Sequence, residues 1–236
     1  MALYITGDIH GDPKPRFYPA LSNLTKEDIV LVCGDFGLPW WSKTYGKHWD
    51  DKKRLDWLEK QPYTTVFIDG NHENFDLLNK LPIQEWCGGR VHVVRANVLH
   101  LMRGEVFDIL GFKVLAFGGA YSVDRKYRVL NISWWREELY SAENLSNLKR
   151  NLAKVGHAVD LVITHTAPIK FLQPKTKEIG IEWSFFQDDV AKMLSEIEPQ
   201  ITYKKWYFGH FHLDWEDKKQ RCRGIYTEID EVDVNM

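Results

Sequence analysis

Metal-ligating and proton-carrying side chains recur in this sequence directly after short apolar runs. Asn71 and His72 follow the apolar residues 64–68, with Asp69 and Gly70 between. An Asn carboxamide oxygen can ligate a hard or borderline metal ion, and a neighbouring His can donate or accept a proton. One such pair is also typical of an ordinary turn, so its meaning depends on whether the pattern is repeated.

The pattern is repeated after four further apolar runs. Over all five runs, the polar residues are Asp8, His10, Asp35, Asn71, His72, His165, His210 and His212. Five of the nine histidines belong to this set, whereas histidines that only decorate a surface would be spread over helices and loops as well. Five unrelated turns are therefore a poor explanation of the pattern.

The types of donor atom indicate a pair of metal ions. Asp and Asn oxygens combined with His nitrogens, without a thiolate, are typical of Mn²⁺, Fe, Zn²⁺ or Ni²⁺ rather than of a structural zinc. Seven candidate ligands are too many for one ion. Two ions about 3.5–4 Å apart, bridged by a carboxylate and a water, would use all seven, clamp a phosphoryl group and activate the water for in-line attack. Of these metals, we expect Mn²⁺ to be the first candidate for the bound ions.

These side chains can meet only if the five runs are strands whose carboxyl ends share one edge of a sheet system. The runs predicted as buried strands are residues 2–6, 29–33, 64–68, 160–164 and 205–208. A helix over residues 48–60 would form the crossover between the second and third of these strands. The sequence therefore predicts an α/β fold.

The remaining elements are predicted from periodicity and turn residues. Further helices are expected over residues 73–79, 141–155 and 184–196. Short strands are expected over residues 91–94, 98–101, 106–110, 113–117 and 225–229, with Gly111 and Phe112 as a hairpin turn. No linker divides residues 1–236, so we expect one domain.

Composition excludes several classes of function. The net charge is -2, which provides no general field for nucleic acid, although a local basic patch stays open. Three cysteines, an odd number at spacings that match no zinc module, favour a reducing compartment. The N-terminus lacks the features of a signal peptide, and no apolar run is long enough to span a membrane. We expect a cytoplasmic protein.

The complete set of motifs resembles the calcineurin-like metallophosphoesterase family. The motifs are Gly7-Asp8-Ile9-His10-Gly11, Gly34-Asp35, Gly70-Asn71-His72-Glu73, His165 and Gly209-His210-Phe211-His212. They follow that family's order and extend over nearly the whole chain. The resemblance implies a four-layer α/β/β/α sandwich of two mixed sheets flanked by helices, with a dinuclear metal site at the loop ends.

The resemblance also implies a role for each motif residue. Asp8, His10 and His212 would hold the first metal ion, and Asn71, His165 and His210 the second. Asp35 would bridge the two ions. His72 would ligate neither; it would face the scissile ester and either protonate the leaving oxygen or stabilise the phosphoryl charge.

The chain departs from the phosphoprotein phosphatase branch of the family at one point. That branch continues its second motif with an Asp-Arg pair that supports the catalytic His and holds the phosphate, and here the positions read Leu38-Pro39. Arg125, Arg128 and Arg136, which follow a Gly-Gly strand end, are candidates for the missing contact to substrate. Solvated surface arginines are the alternative.

Other residues are assigned more weakly. Four tryptophans could line the floor of a pocket for a nucleoside-like group, or could pack in the core: Trp40, Trp41, Trp134 and Trp135. His48, His92, His100 and His157 receive no role. The leading hypothesis is a hydrolase of phosphate esters, with nucleotide-like esters among the candidate substrates and diesters slightly favoured. A phosphomonoesterase is the alternative, and a non-catalytic scaffold is a remote one because a scaffold would be expected to have lost part of the site.

Overall fold

The computed structural model describes residues 1–40, 51–176 and 188–233, and within them the strands form two sheets. The first sheet has seven strands: β1 (Leu3–Thr6), β2 (Ile29–Val32), β3 (Thr64–Phe67), β4 (Ile83–Trp86), β5 (Gly89–Arg95), β6 (Val98–Leu101) and β13 (Asp230–Glu231). Their spatial order is β13-β1-β2-β3-β6-β5-β4. Strands β1, β2, β3 and β6 are parallel. Strand β13 is antiparallel to β1, β5 is antiparallel to β6, and the edge strand β4 is antiparallel to β5.

The second sheet has six strands: β7 (Glu105–Ile109), β8 (Phe112–Phe117), β9 (Leu161–Thr164), β10 (Lys205–Phe208), β11 (Trp215–Asp217) and β12 (Cys222–Gly224). Their order is β11-β12-β10-β9-β8-β7. Strands β8, β9, β10 and β12 are parallel, and β7 and β11 are antiparallel edge strands.

Six α-helices are described: α1 (Lys14–Phe17), α2 (Asp51–Glu59), α3 (Phe75–Leu78), α4 (Ala142–Lys154), α5 (Ile169–Leu172) and α6 (Asp189–Ile197). The two long C-terminal helices begin at side-chain caps that accept a backbone N–H. Ser141 caps α4 and Asp188 caps α6. Such caps satisfy N–H groups that have no partner within the helix.

Alternation of side chains along the strands explains the layers. Leu31 and Val66 of the first sheet point inward and pack with Phe107 and Ile163 of the second sheet. The opposite face of the first sheet packs on α1, α2 and α3, and the opposite face of the second packs on α4, α5 and α6. Successive residues of a strand point to opposite faces, so both faces of these apolar strands are buried. The predicted α/β/β/α arrangement of two mixed sheets is confirmed.

The strand predicted over residues 225–229 is wrong. Strand β12 ends before this segment and β13 begins after it. The carboxylate of Asp214 accepts the backbone N–H groups of Tyr226, Thr227 and Glu228. Because a side chain uses these donors, they are not available to a strand ladder.

Smaller differences concern turns and short elements. The hairpin between β7 and β8 turns at Leu110 and Gly111, one residue earlier than predicted, with φ of 52° and 85°, as a two-residue hairpin turn of this type requires. The short elements α1, α5, β4, β11, β12 and β13 were not predicted. The predicted starts of two helices at residues 48 and 184, together with Trp41 and His48, lie outside the described residues. Among the described helices, none has the length and apolarity needed to cross a membrane.

Candidate active site

The loops after β1, β2, β3, β9 and β10 meet at one edge of the two sheets. Five of the residues on them adopt a left-handed backbone with positive φ: Asp8, His10, Asp35, His210 and His212. Side chains other than Gly rarely adopt this conformation, which carries a cost of about 1–3 kcal/mol at each position and is concentrated at functional sites. The surrounding structure therefore holds these five side chains against local strain.

Four of the predicted residues form one group. Asp8, His10, Asp35 and His212 each offer a ligand atom, and these atoms lie within 4.8 Å of one another. The Nε2 atoms of His10 and His212 are 3.0 Å apart, and Nε2 of His212 is 3.7 Å from Oδ1 of Asp8. Nδ1 of His10 is 3.9 Å from Oδ2 of Asp35. A group of this composition and size can hold a metal ion.

A second group lies around the other oxygen of Asp35. Nε2 of His165 is 3.2 Å from Oδ1 of Asp35 and 3.1 Å from Oδ1 of Asn71. The ring of His210 stands edge-on to that of His165, with centroids 5.0 Å apart. Asp35 thus contacts both groups, one through each carboxylate oxygen. The structure brings all seven candidate metal ligands together.

Two glycines leave space for the closely packed side chains of the candidate ligands. A Cβ on Gly70 would lie 2.1 Å from Oδ1 of Asp35, and one on Gly209 would lie 2.6 Å from Oδ2 of Asp8. The backbone N–H of His210 then donates to both oxygens of Asp8 at 3.1 Å. Gly is required at both positions because any larger residue would displace a carboxylate of the site.

The charged groups of the site shift the pKa values of one another. Burial would raise the pKa of Asp35, but nearby His165, His72 and His10 outweigh it and hold the pKa well below its usual range. Burial would likewise lower the pKa of His165, but the Asp35 carboxylate outweighs it and raises the pKa. Burial raises the pKa of Asp8, and the Asp35 carboxylate adds to the effect while His165 opposes it. Asp35 is therefore an anion that needs a positive charge beside it.

These features fit divalent metal ions. Asp8 and Asp35 are buried carboxylates, each about 1% exposed, and buried carboxylates are normally paired with a cation or bound to a metal. Burial lowers the pKa of His10 to about 4 and also lowers that of His210 and His212. These three imidazoles are neutral at pH 7, as a metal ligand must be. The donor set suits two hard or borderline ions, and Asp8 and His165, whose pKa values are raised, would release their protons on binding them.

His72 lies beside this cluster. Its backbone N–H donates to Oδ1 of Asp35 at 2.7 Å, and its Nε2 is 4.0 Å from Oδ2 of the same carboxylate. Its ring is edge-on to that of His10, with centroids 5.4 Å apart. Burial, together with the Arg128 charge, lowers the pKa of His72, while Asp35 opposes the shift.

Arg128 reaches His72 from the loop that follows β8. Its Nη1 and Nη2 atoms are 2.9 and 3.0 Å from Nδ1 and Nε2 of the imidazole. Nε of Arg128 donates to Asp124 at 2.8 Å, and Nη1 donates to the carbonyl of Ser133 at 3.2 Å. The guanidinium is thus anchored on one side and faces His72 on the other.

The other two candidate arginines lie elsewhere. Arg125 is held between the rings of Tyr121 and Trp134, 4.4 Å from each centroid, and its Nη2 is 3.4 Å from the buried Glu138. Arg136 lines a separate cavity that none of the eight predicted site residues lines. Only Arg128 therefore contacts His72.

The tryptophans near the loop are packed. Trp135 is about 1% exposed, stands edge-on to Trp40 and donates from Nε1 to Asp76 at 3.0 Å. Trp134 packs on Arg125. These contacts favour core packing for Trp135 and support of the loop for Trp134.

Two residues support the site in ways that were not predicted from the sequence. The buried Glu73 carboxylate accepts the backbone N–H groups of Phe36 and Gly37 at 2.8 and 3.0 Å, which ties the second and third loops together. Nδ2 of Asn71 donates to Oγ of Ser122 at 3.0 Å, so the amide oxygen turns toward His165. Glu73 follows His72 directly in the motif, and this position could have indicated that Glu73 supports the site. Nothing in the sequence singles out Ser122.

Comparison with known proteins gives two results. The sequence model of the calcineurin-like phosphoesterase family matches residues 1–214. Curated relatives include lariat debranching enzyme A of Xenopus laevis, 22% identical over 243 residues, and the lariat debranching enzyme of Gallus gallus, 23% identical over 244 residues. Each alignment covers 90% of this chain and 43% of the relative. The enzyme of Schizosaccharomyces pombe is 24% identical over 213 residues, which are 81% of this chain and 44% of the relative. The chain thus spans less than half the length of these relatives.

Proposed function

The chain belongs to the calcineurin-like phosphoesterase family, and on that premise we propose that it is a divalent-metal-dependent phosphodiesterase that acts on nucleotide-like esters. Membership of the family makes it a phosphoric ester hydrolase. The proposed metal dependence rests on the position of Asp35. Its carboxylate contacts both groups of candidate ligands and accepts the backbone N–H of His72.

We assign the metal ligands by group. Asp8, His10 and His212 would hold one ion, Asn71, His165 and His210 would hold the other, and Asp35 would be shared by both, with Mn²⁺ as the first candidate. When bound, two such ions neutralise phosphoryl charge and supply a nucleophilic water at neutral pH. The protein positions them through loops that are tied together by Glu73 and by the backbone of His210.

His72 acts on the leaving group. Its backbone bond to Asp35 holds it at the edge of the cluster, where its side chain faces the space that a bound ester would fill. A neutral imidazole has one N–H donor, and the lowered pKa makes the protonated form of His72 a stronger acid than a free imidazolium. His72 can therefore donate a hydrogen bond or a proton to the departing oxygen.

Arg128 binds a phosphoryl oxygen. A guanidinium has only donors, whereas a neutral imidazole offers a single acceptor nitrogen. The two contacts between Arg128 and His72 therefore cannot both be good hydrogen bonds. An anionic oxygen that displaced one of these direct contacts would accept from both side chains, and Asp124 holds the guanidinium in place for it.

The relatives support a diester substrate. Their names refer to the debranching of lariats, and a phosphoesterase that opens a branch must cleave a phosphate that joins two groups. A phosphomonoesterase is the second candidate, and Arg128 favours it. With Leu38-Pro39 in the second motif, no arginine there balances the second charge of a monoester, but Arg128 reaches His72 from another loop.

Hydrolysis of a diester and a monoester with the same aryl leaving group tests the proposal. With Mn²⁺ present, we expect kcat/KM for the diester to equal or exceed that for the monoester. A monoester preference of about 100-fold or more, equivalent to about 2.7 kcal/mol of transition-state discrimination, would support the phosphomonoesterase instead. Absence of hydrolysis of either ester by the metal-loaded protein would contradict both.

Loss of the Arg128 side chain should weaken hydrolysis without removing the metal ions. For Arg128→Ala we expect kcat/KM to fall by about 10–100-fold, because a charge-assisted hydrogen bond contributes about 1.5–3 kcal/mol. Arg128→Lys should restore only part of the loss, since an ammonium cannot bind in bidentate fashion. Lys126→Ala, which removes an exposed cation from the same loop, is the matched control and should remain active. Equal effects of Arg128→Ala and Lys126→Ala would show that only the charge of the loop matters.

A further inference from the structure

Glu138 is a buried carboxylate in the segment between β8 and α4. Three donors converge on it. The hydroxyl of Ser122 donates to the carboxylate, the backbone N–H of Trp135 donates to Oε1 at 3.3 Å, and Nη2 of Arg125 lies 3.4 Å from Oε2. A buried carboxylate requires partners of this kind. Glu138 is therefore the point at which three parts of this segment meet.

Arg125 gives Glu138 a permanent positive partner. A guanidinium keeps its charge in proteins, and this one is held in place between the rings of Tyr121 and Trp134. Burial raises the pKa of Glu138, while the hydrogen bond from Ser122 and the charge of Arg125 oppose the rise. A neutral Glu138 would leave the packed guanidinium without the carboxylate that faces it. The ionised form, which only accepts hydrogen bonds, suits all three donors.

The Glu138 carboxylate sets the direction of the Ser122 hydroxyl. A hydroxyl has a single proton, and Ser122 donates it to Glu138. Its lone pairs are therefore left for its other neighbour, the side chain of Asn71, at 3.0 Å. Of the two ends of that amide, only Nδ2 can donate a hydrogen bond. Ser122 thus selects Nδ2 as the end of Asn71 that turns toward it.

This orientation leaves the amide oxygen of Asn71 on the side of the candidate ligands. Its Oδ1 lies 3.1 Å from Nε2 of His165. The reverse orientation would place an NH₂ group there, which donates hydrogen bonds and offers no acceptor site to a metal ion. Asn71 and Ser122 are about 4% and 1% exposed, so water has little access to either. The orientation of the amide therefore depends on Ser122.

Gly119 allows the chain to place Ser122 between Asn71 and Glu138. Gly119 has a φ of 89°, and its backbone N–H donates to the carbonyl oxygen of Asp69 at 2.9 Å. A Cβ at this position would lie 2.5 Å from the carbonyl oxygen of Glu138. Any larger residue would push apart the two segments that Ser122 joins.

We infer that Glu138 is a positioning residue for the metal centre: through the hydroxyl of Ser122, it holds the amide of Asn71 with its oxygen toward the ion that Asn71 would ligate. Replacing a residue that orients a metal ligand typically weakens metal binding by about 10–100-fold. Arg125 then serves this carboxylate rather than the substrate. This inference rests on the proposed metal dependence of the protein.

Calorimetric titration of the chelated protein with Mn²⁺ tests the inference without any hydrolysis. For Ser122→Ala we expect one of the two ions to bind about 10–100-fold more weakly and the other to bind as in the wild type. Arg125→Met combined with Glu138→Met should weaken the same ion. The two are replaced together because exchanging a buried ion pair for apolar side chains leaves no charge unpaired and is often tolerated. Glu137→Ala, which removes the exposed neighbouring carboxylate, is the control and should bind both ions normally.

Asn71→Ala shows whether the effect passes through the amide. It should weaken the same ion, and adding Ser122→Ala to it should weaken neither ion further, because the amide that Ser122 orients is gone. A further loss in that background would show a general destabilisation of the site and would overturn the inference. Wild-type affinity for both ions in folded Ser122→Ala would also overturn it, and would leave the proposed function intact. A wild-type protein that binds no Mn²⁺ would instead refute the proposed metal dependence, and the inference with it.

Discussion

Asp35→Ala should lose both ester hydrolysis and the pair of bound metal ions. The carboxylate contacts each group of ligands and carries the negative charge at the centre of the site. Without it the two ions would share no ligand, and several kcal/mol of charge stabilisation would be lost. We expect kcat/KM to fall by about 10³-fold or more, with fewer than two divalent ions per chain by elemental analysis.

Two further variants separate this effect from a folding defect. Asp35→Asn retains an oxygen that can accept from the backbone N–H of His72, so it should fold while still losing metal. Asp28→Ala is the matched control, because Asp28 is a buried carboxylate at the opposite end of β2, where it accepts from Thr25 and Ala2. It should lower the stability of the protein but keep both ions. Full metal content and full activity in folded Asp35→Asn would contradict the bridging role.

His72→Ala should lower kcat by about 10²–10⁴-fold, the usual scale for general acid catalysis, while leaving both metal ions in place. The reason is that His72 touches the cluster through its backbone N–H, which the substitution retains. The defect should be larger for an alkyl leaving group than for a nitrophenyl one, because a good leaving group needs little help from an acid. Added imidazole should restore part of the rate.

Elemental analysis of this variant separates the two assignments. If His72→Ala lost its metal ions, His72 would be a ligand. If the defect were the same for good and poor leaving groups, His72 would bind the phosphoryl group rather than protonate the leaving oxygen. Each result would change its role in a defined way.

The sequence predicted the part of the fold that depends on repetition. Buried strands followed by a polar residue were recognised because parallel strands need unbroken apolar runs, and the polar residues that follow them lie at one edge of the sheet. The convergence of Asp8, Asp35 and His165 follows from this rule. The layers also follow from it, since strands that are apolar on both faces must be covered on both sides.

Features that depend on irregular backbone could not be predicted. Three arginines lie in residues 125–136 after β8, and only the folded loop decides that Arg125 packs between Tyr121 and Trp134 while Arg128 contacts His72. Likewise residues 225–229 have the composition of a strand, but Asp214, distant in sequence, takes their N–H groups. His100 was given no role because it lies within a predicted strand, yet it stands at the carboxyl end of β6, hydrogen-bonded to Asp69.

The most direct test of the central claim is the metal content of the wild-type protein measured together with its hydrolysis of an aryl phosphodiester, before and after exhaustive chelation. We expect two divalent ions per chain before chelation, no hydrolysis once they are removed, and recovery of both when Mn²⁺ is returned. Undiminished hydrolysis by protein in which elemental analysis finds no metal would contradict a dinuclear metal centre built on Asp35.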